Sequence, residues 1–245
     1  MKFSIIIPTY KSARLIGSLL PKLLECVNNL QEIIVIDSDS RDTISDVCLR
    51  CGVQFISIDK KCFDHGGTRN LGASKATGEI LMFITQDIIP CDSNLLKSFS
   101  KVFEDPCIGG AYARQLPRIG AHPVEALSRK YSYPDVSRVN TYKDFEEKGV
   151  SALYFANPCA CVRRSVFEEV GGFPDKVICN EDMVIAHKIL KAGYKTAYVA
   201  DAKVYHSHNY SPKQLVNRFL TSVYSLDPIL SSVPKQKIVT RDFGR

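Results

Sequence analysis

Apolar and polar positions change their spacing in a regular way along the first half of the chain. Short apolar runs rich in Ile and Val have the length and composition of buried strands. The segments between them carry apolar residues every three to four positions, which is typical of amphipathic helices. Strand and helix are predicted in turn over Phe3–Ile7, Ser12–Leu30, Glu32–Asp37, Arg41–Arg50, Val53–Ile58, Gly67–Ala76, Ile80–Thr85 and Asp92–Phe103.

This alternation predicts an α/β fold with a mostly parallel central sheet and helices on both faces, because parallel strands need a crossover between them. Pro21 predicts a kink or break in the first helix. Gly52 is placed to end the second helix, and Asp92 is a candidate N-cap of the last one.

The regular alternation stops after residue 114. Residues 115–150 mix prolines, tyrosines and charges without a clear period, which predicts a mobile or substrate-facing segment. Structure is predicted again at Ala152–Val162, as helices at Arg163–Val170 and Glu181–Lys191, as a strand at Lys195–Val199 and as a short strand or loop at Val204–His208. We expect one domain over residues 1–211, followed by an amphipathic helix and a basic tail over 212–245.

Composition narrows the class of protein. The 245 residues are 45% hydrophobic and 24% charged, the balance of a globular chain with a sizeable core. The net charge of +6 suits an anionic substrate or a membrane surface, but it is not the concentrated basic footprint of a nucleic-acid binder. No apolar run is long enough to span a bilayer, and the start of the chain lacks a signal-peptide pattern.

The nine cysteines are an odd number scattered along the chain. Cys48 and Cys51 have the spacing of a redox or zinc pair, but no second pair stands at metal-ligand spacing, since Cys159 and Cys161 are only two positions apart. Buried or partly buried thiols are therefore the better interpretation, and they predict a reducing, cytoplasmic setting.

Residues 62–90 carry the most chemistry. A glycine-rich turn combines His65, Gly66, Gly67 and Arg69, and a strand further on ends near Asp87. Glycines let backbone N–H groups approach a phosphate, and a helix N-terminus favours negative charge. A carboxylate at a strand end can hold a hard cation against a diphosphate. Together these residues predict a site for a nucleotide diphosphate and a metal.

Seven motifs resemble those of the family-2 inverting glycosyltransferases with the GT-A fold, and within them the group that transfers rhamnose from dTDP-rhamnose. They are Ile5–Tyr10, Ile34–Ser40, Phe63–Asn70, Thr85–Asp87, Arg114–Pro117, Asn180–Asp182 and Val204–Ser211. Each motif alone is weak, but their order and spacing over residues 3–211 are specific. The resemblance implies a nucleotide-binding half over 1–114 and an acceptor-side half over 115–211.

For the donor nucleotide, the resemblance implies that the Asp37 carboxylate accepts a hydrogen bond from the pyrimidine N3–H, although this residue can also serve only a turn or a helix cap. Asp39 can share or replace that role, or cap the next helix. Arg69 is expected to pair with phosphate, and His65 to order its loop or touch the ligand. The complete set of predicted donor contacts is Pro8, Thr9, Tyr10, Asp37, Asp39, His65, Gly66, Gly67, Arg69 and Gln86.

For the metal and the chemistry, the resemblance implies Mg²⁺ or Mn²⁺ at Asp87, with His206 or His208 as a further ligand unless these histidines only order the loop. The usual aspartate two positions earlier is replaced by Thr85. The general base is expected to be Asp182, which follows Glu181 ahead of a helix; the alternative is a carboxylate that complements the helix dipole.

The resulting interpretation is transfer of L-rhamnose from dTDP-rhamnose to a sugar hydroxyl of a surface polysaccharide or its lipid-linked precursor. The alternatives are a UDP-sugar donor, or an inactive nucleotide-sugar-binding relative. A Rossmann dehydrogenase is disfavoured because no glycine fingerprint follows the first strand, and a processive synthase because the chain has no Trp and no span. An apolar stripe at Leu215–Val223 and the basic tail suggest peripheral contact with the inner face of the membrane.

Overall fold

The computed structural model of the chain describes residues 1–26, 29–175, 179–208 and 214. The strands are β1 Phe3–Thr9, β2 Leu30–Asp37, β3 Gln54–Ser57, β4 Ile80–Ile84, β5 Ile89–Pro90, β6 Ile108–Leu116, β7 Arg138–Asn140, β8 Cys159–Arg163 and β9 Lys195–Tyr205. The α-helices are α1 Ala13–Leu24, α2 Ile44–Cys51, α3 His65–Lys75, α4 Leu95–Val102, α5 Pro123–Ser132, α6 Tyr142–Lys148, α7 Arg164–Glu169 and α8 Glu181–Lys191.

The described strands form a single mixed sheet in the order β3-β2-β1-β4-β8-β6-β9-β5, with β7 paired to β9. Strands β3, β2, β1 and β4 run parallel to one another. Strand β8 is antiparallel to both β4 and β6, so β6 and its parallel neighbour β9 point the same way as β4. The carboxyl ends of most strands therefore meet at one edge of the sheet, which confirms the predicted α/β, mostly parallel architecture.

Alternation of side chains along the strands divides the core into two layers. Ile5 and Ile7 of β1 pack on one face with the apolar sides of α1, α2 and α4. Ile6, between them, packs on the other face with α3, α7 and α8. Because successive side chains of a strand point to opposite faces, both faces of a buried strand must be apolar, and this accounts for the unbroken runs of Ile.

Several predicted boundaries are wrong by a turn or more. Helix α1 continues through Pro21 but ends at Leu24, and Leu30 already belongs to β2. Helix α4 begins at Leu95, because Asp92 caps the preceding turn by accepting from the backbone N–H of Asn94. The end of α2 is as predicted, since Gly52 adopts a left-handed conformation with φ of 65°.

Residues 115–150, which show no clear period in the sequence, contain α5, β7 and α6, and their predicted role as a mobile or substrate-facing segment stays a prediction. Local signals begin both helices: Pro123 occupies the start of α5, and Thr141 with Asp144 forms a capping box at α6. Short length hides their period in the sequence. The two predicted pieces 195–199 and 204–208 are largely one strand, β9, whose register against β6 shifts between Ala113 and Arg114.

The predicted C-terminal helix and basic tail at 212–245 lie outside the described residues, apart from position 214. Among the residues that are described, no helix combines the length and the apolar character needed to cross a bilayer. All nine cysteines lie in the described part and are free thiols.

Candidate active site

Three predicted metal ligands come together at the carboxyl edge of the sheet. Asp87 follows β4, while His206 and His208 follow β9, which is three places away in the sheet. The short strand β5, which follows Asp87 in the chain, pairs with the end of β9 and so places Asp87 beside the histidines. Asp87 Oδ2 lies 3.4 Å from His206 Nε2 and 3.6 Å from His208 Nδ1. One ligand atom from each residue fits within 4.8 Å of the others.

Hydrogen bonding prepares His206 as a metal ligand. Its Nδ1 lies 2.7 Å from Gln115 Oε1, which also accepts from Arg129 Nη1. An amide oxygen can only accept, so Nδ1 carries a proton, and Nε2 presents a lone pair to a cation once the second ring proton is lost. That Nε2 atom is buried and has no hydrogen-bond partner among the described residues. A fixed tautomer with its free nitrogen aimed at a carboxylate fits a divalent cation.

Charge at this cluster favours an ionised carboxylate. Burial alone would raise the pKa of Asp87, but the adjacent His206 in its protonated form, with smaller effects of Thr85 and His208, holds it well below its usual range. Asp87, His206 and His208 would hold the cation. One carboxylate suffices for an ion such as Mg²⁺, because that ion keeps waters and takes phosphate oxygens as further ligands.

Residues around the cluster fix it from behind. Arg118 donates through Nη2 to the Asp87 carbonyl, and its own N–H donates to Ser207 Oγ at 2.9 Å. The N–H of His208 donates to Glu125 Oε1 at 2.8 Å. Glu125 and Arg129 of α5 were missed by sequence reasoning because they lie in the segment without a visible period. Among the supporting residues Gln115, Glu125 and Arg129, only Gln115 lies in a motif visible in the sequence, Arg114–Pro117.

The predicted pyrimidine contact, Asp37, is engaged within the chain. The residue is 3% exposed, and its carboxylate accepts from Thr9 Oγ1 at 3.1 Å, from the Ser40 N–H at 2.8 Å and from Ser40 Oγ. These bonds are those of a turn-forming Asp. Asp39 is exposed instead, with a φ of 54°. The contacts of Asp37, Asp39 and Thr9 with a nucleotide stay predictions.

Tyr10 and Gln86 are held together at the same edge. Gln86 Oε1 accepts from the Tyr10 N–H at 2.9 Å, and Gln86 Nε2 donates to the Tyr10 carbonyl at 3.4 Å. Lys60 Nζ donates to the Tyr10 hydroxyl at 2.9 Å, and this bond lowers the pKa of Tyr10. Pro8 lies within β1 opposite Ile36. Donor contacts by Pro8, Tyr10 and Gln86 stay predictions.

Left-handed backbone marks the loops beside Tyr10. Lys11, Asp39 and Arg41 all have positive φ, between 48° and 54°, although none is glycine. The N–H of Lys11 donates to Ser40 Oγ at 2.7 Å, so the two loops are tied together. Such conformations cost free energy and cluster where function constrains the backbone.

The glycine-rich turn at the start of α3 differs from the predicted phosphate cradle. Asp64 caps this helix, since its Oδ2 accepts from the Gly67 N–H at 2.7 Å. A Cβ on Gly66 would lie 2.1 Å from the Pro174 carbonyl oxygen, so this glycine serves close packing. His65 begins the helix and contacts the ring of Phe63. Donor contacts by His65, Gly66 and Gly67 stay predictions.

Arg69 lies in the interior of the protein and is engaged by partners within the chain. Its side chain is 5% exposed and its Nη1 lies 3.2 Å from Glu181 Oε1 and 2.7 Å from the His65 carbonyl oxygen. Glu181 Oε1 also accepts from Asn157 Nδ2 at 3.1 Å. The predicted phosphate contact of Arg69 has no counterpart among these bonds and stays a prediction.

The predicted base, Asp182, lies beside this ion pair in the first turn of α8. Its Oδ2 accepts from the Asn157 N–H at 3.3 Å and its Oδ1 from the Met183 N–H at 2.9 Å. Burial raises the pKa of Asp182, and the negative charge of Glu181 raises it further. These effects outweigh the opposing backbone bonds and Arg69. A carboxylate with a raised pKa is suited to taking a proton near neutral pH.

Comparison with known proteins identifies the family. The glycosyl transferase family 2 profile matches residues 4–171. The O-antigen chain rhamnosyltransferase RfbN of Salmonella typhimurium is 40% identical over 225 residues, covering 89% of this chain and 70% of RfbN. The O-antigen chain rhamnosyltransferase WbaN of Salmonella anatum is 36% identical over 220 residues, with the same coverage.

Solved structures share the fold. The mannosyltransferase PcManGT from Pyrobaculum calidifontis, in complex with GDP-Man and Mn²⁺, superposes with a TM-score of 0.65 at 21% identity, covering 94% of this chain and 68% of that one. S. aureus TarS in complex with UDP-GlcNAc gives a TM-score of 0.66 at 18% identity, covering 93% and 67%.

The fold is thus that of a GT-A glycosyltransferase, with a candidate metal set and a candidate base at one edge of the sheet. The chain belongs to glycosyl transferase family 2 and is a glycosyltransferase.

Proposed function

We propose that the chain transfers L-rhamnose from dTDP-β-L-rhamnose to a sugar hydroxyl, with inversion at the anomeric carbon to give an α-L-rhamnoside. RfbN and WbaN are both O-antigen chain rhamnosyltransferases, which supports rhamnose as the transferred sugar. The observation that carries the proposal is the pairing of a carboxylate of raised pKa, Asp182, with a separate cation-ready cluster around Asp87.

In the proposed reaction, Asp182 takes the proton of the acceptor hydroxyl while that oxygen attacks the anomeric carbon. The attack breaks the bond to the β-phosphate oxygen, and dTDP leaves from the opposite face. Asp87, His206 and His208 would hold Mg²⁺ or Mn²⁺, which would supply positive charge that stabilises the departing diphosphate. Tyr10 and Gln86 line the proposed donor side.

The test is a nucleotide-sugar panel that needs no knowledge of the acceptor. Calorimetric titrations in Mn²⁺ should rank dTDP-rhamnose and dTDP above UDP-glucose and GDP-mannose, and slow hydrolysis should follow the same order. The Asp39→Asn variant tests whether the exposed Asp39 carboxylate contributes to donor binding. Asp201→Asn changes another exposed acid, in β9, and is the matched control. A clear preference for a UDP-sugar would move the proposal to that donor class, and no binding of any donor would favour an inactive relative.

We also propose that the acceptor is a growing surface polysaccharide or its lipid-linked precursor, and that the chain works at the inner face of the membrane. Helix α5 exposes the apolar side chains of Val124, Leu127 and Tyr131, and the sequence has a further apolar stripe at 215–223. Both are surfaces that the membrane contact would use. Sedimentation with anionic vesicles at low and high salt tests this contact. Protein that stays in the supernatant at low salt would reject it.

A further inference from the structure

The ion pair between Arg69 and Glu181 joins two residues that are 112 positions apart in the chain. Both side chains are buried, at 5% and 10% exposed. Arg69 reaches the pair from the first turns of α3, while Glu181 is the first residue of α8. A buried ion pair costs desolvation free energy that its own attraction often fails to recover, so it is weak as a device for stability alone.

Asn157 connects the ion pair to Asp182. This residue is 3% exposed and precedes β8, at the same edge where the parallel strands end. Its side-chain Nδ2 donates to Glu181, and its backbone N–H donates to Asp182. One residue therefore sets the spacing between the two acids, through bonds that do not depend on each other.

We propose that Arg69, Glu181 and Asn157 are positioning residues that set the proton affinity and the place of the Asp182 carboxylate. This inference rests on the proposed function, in which Asp182 is the base. Arg69 balances the charge of Glu181, so that only one net negative charge remains between the two acids. Asn157 holds both carboxylates in fixed places, and neither Arg69 nor Asn157 has to touch the substrate.

Other charged and titratable groups near Asp182 are few among the described residues. Tyr154 is buried, and its hydroxyl donates to that of Tyr133 at 2.8 Å. Asp64 faces Arg69 from the N-cap of α3 and adds to the field that keeps the guanidinium protonated. Tyr154 does not change charge near neutral pH, because burial raises its pKa.

Removal of Arg69 or of Glu181 should move the acid limb of the pH–rate profile, which reports protonation of Asp182. The two substitutions should move it in opposite directions. Arg69→Met leaves the negative charge of Glu181 uncompensated, so Asp182 binds its proton more tightly and the limb moves to higher pH. Glu181→Gln removes that negative charge and leaves Arg69, so the limb moves to lower pH. A charge at this range shifts a carboxyl pKa by about 1–3 units, so we expect shifts of about one pH unit or more.

The experiment is hydrolysis of dTDP-rhamnose by the full chain at saturating Mn²⁺, followed from about pH 5 to 9. In that reaction water takes the place of the acceptor. Arg69→Lys keeps the charge and should return the limb to its wild-type position. Lys188→Met is the matched control, because Lys188 is a partly buried cation of α8 that donates to the Gly172 carbonyl rather than to either acid. It should leave the limb unmoved.

The outcomes separate this inference from the proposed function. If Asp182→Asn abolishes turnover but neither Arg69→Met nor Glu181→Gln moves the limb, the positioning role is overturned and the base stands. If Asp182→Asn keeps near-full turnover, both are overturned. Should Arg69→Met not fold, Glu181→Gln against Arg69→Lys decides, since a shift to lower pH in the first and none in the second supports the role.

Discussion

Two aspartates at the same edge of the sheet have opposite electrostatic environments. Asp87 is partly buried between two imidazoles, and these hold its pKa well below the usual range despite the effect of burial. Asp182 is beside another carboxylate, and burial together with Glu181 raises its pKa to about 7. The surroundings of Asp87 therefore favour the ionised carboxylate, while those of Asp182 favour the protonated carboxyl group.

Under the proposed function, this comparison shows how one fold would separate two tasks. A group that holds a cation must be ionised, whereas a group that takes a proton must have a pKa near the working pH. Pairs of acids whose surroundings move their pKa values apart are a general sign of divided roles. Here the division follows from topology, since β5 brings Asp87 to the histidines while α8 and the residues before β8 enclose Asp182.

The largest expected effect is the loss of activity when the proposed base, Asp182, is replaced. Asp182→Asn keeps the shape of the side chain but cannot accept a proton, so kcat should fall about 10²–10⁴-fold, the usual contribution of general-base catalysis. Steady-state hydrolysis or transfer of dTDP-rhamnose measures this loss. Asp175→Asn, in the turn before α8, serves as a control and should keep wild-type turnover. A variant of Asp182 with nearly unchanged kcat would show that another group takes the proton.

A smaller effect is expected at Gln115, which bonds to the predicted metal ligand His206. Gln115→Leu removes the acceptor that fixes the His206 tautomer, and loss of such an outer partner typically weakens metal binding by about 10–100-fold. Titration with Mn²⁺, followed by paramagnetic resonance, measures the change. Gln31→Leu alters an exposed glutamine of β2 and should bind Mn²⁺ normally. Equal affinity in wild type and Gln115→Leu would remove Gln115 from the account of the site.

The Asp182 environment should also cost stability at high pH. Because the folded-state pKa is raised, the native protein binds more protons at Asp182 than the unfolded chain does, and its stability falls as pH rises from about 4 to about 7. Asp182→Asn does not titrate, so it should be more stable than wild type at pH 8 by roughly 1–2 kcal/mol, or about 2–8 °C in Tm.

Thermal unfolding of both proteins at pH 8 and pH 5 checks this sign. The advantage of Asp182→Asn should shrink at pH 5, where wild-type Asp182 is largely protonated in the native state. An advantage that is the same at both values, or absent at pH 8, would mean that Asp182 is not destabilised by ionisation.

The smallest effect concerns the bridge between the two acids. Asn157→Ala removes the amide donor to Glu181 but keeps the backbone N–H that bonds Asp182. We expect a fall in kcat of about 3–10-fold, since one hydrogen bond to a charged group is worth roughly 1–2 kcal/mol and part of it is replaced by water. Asn70→Ala is the control: Asn70 follows Arg69 in α3 but bonds to the Phe173 carbonyl, so its loss should lower stability and not kcat.

The elements that periodicity could reveal were predicted well. Buried strands such as β1 and β4 contain unbroken apolar runs, and α8 spans the predicted residues 181–191. The helices α5 and α6 were missed because each is short, and α5 buries none of its residues, so no apolar stripe faced a core. A bulge in β9 divided one strand into two predicted pieces.

For the site, the sequence predicted residues but not their partners. Asp87, His206 and His208 were brought together by a resemblance, and the structure places them within reach of one ion. The burial of Arg69 could not be foreseen, because its partner Glu181 is remote in the chain and the local pattern indicated only a glycine-rich helix start. For Asp37 the sequence left a nucleotide contact and a turn-forming role open, and its bonds to Thr9 and Ser40 are those of a turn.

The central claim is that Asp87 serves the donor diphosphate and Asp182 serves the acceptor proton. Calorimetric titration of dTDP, with and without Mn²⁺, into wild type, Asp87→Asn and Asp182→Asn tests this division most directly. We predict that Asp87→Asn loses the gain in dTDP affinity that Mn²⁺ provides, while Asp182→Asn keeps that gain within about twofold. Loss of the Mn²⁺-dependent gain in Asp182→Asn, or its retention in Asp87→Asn, would contradict the account.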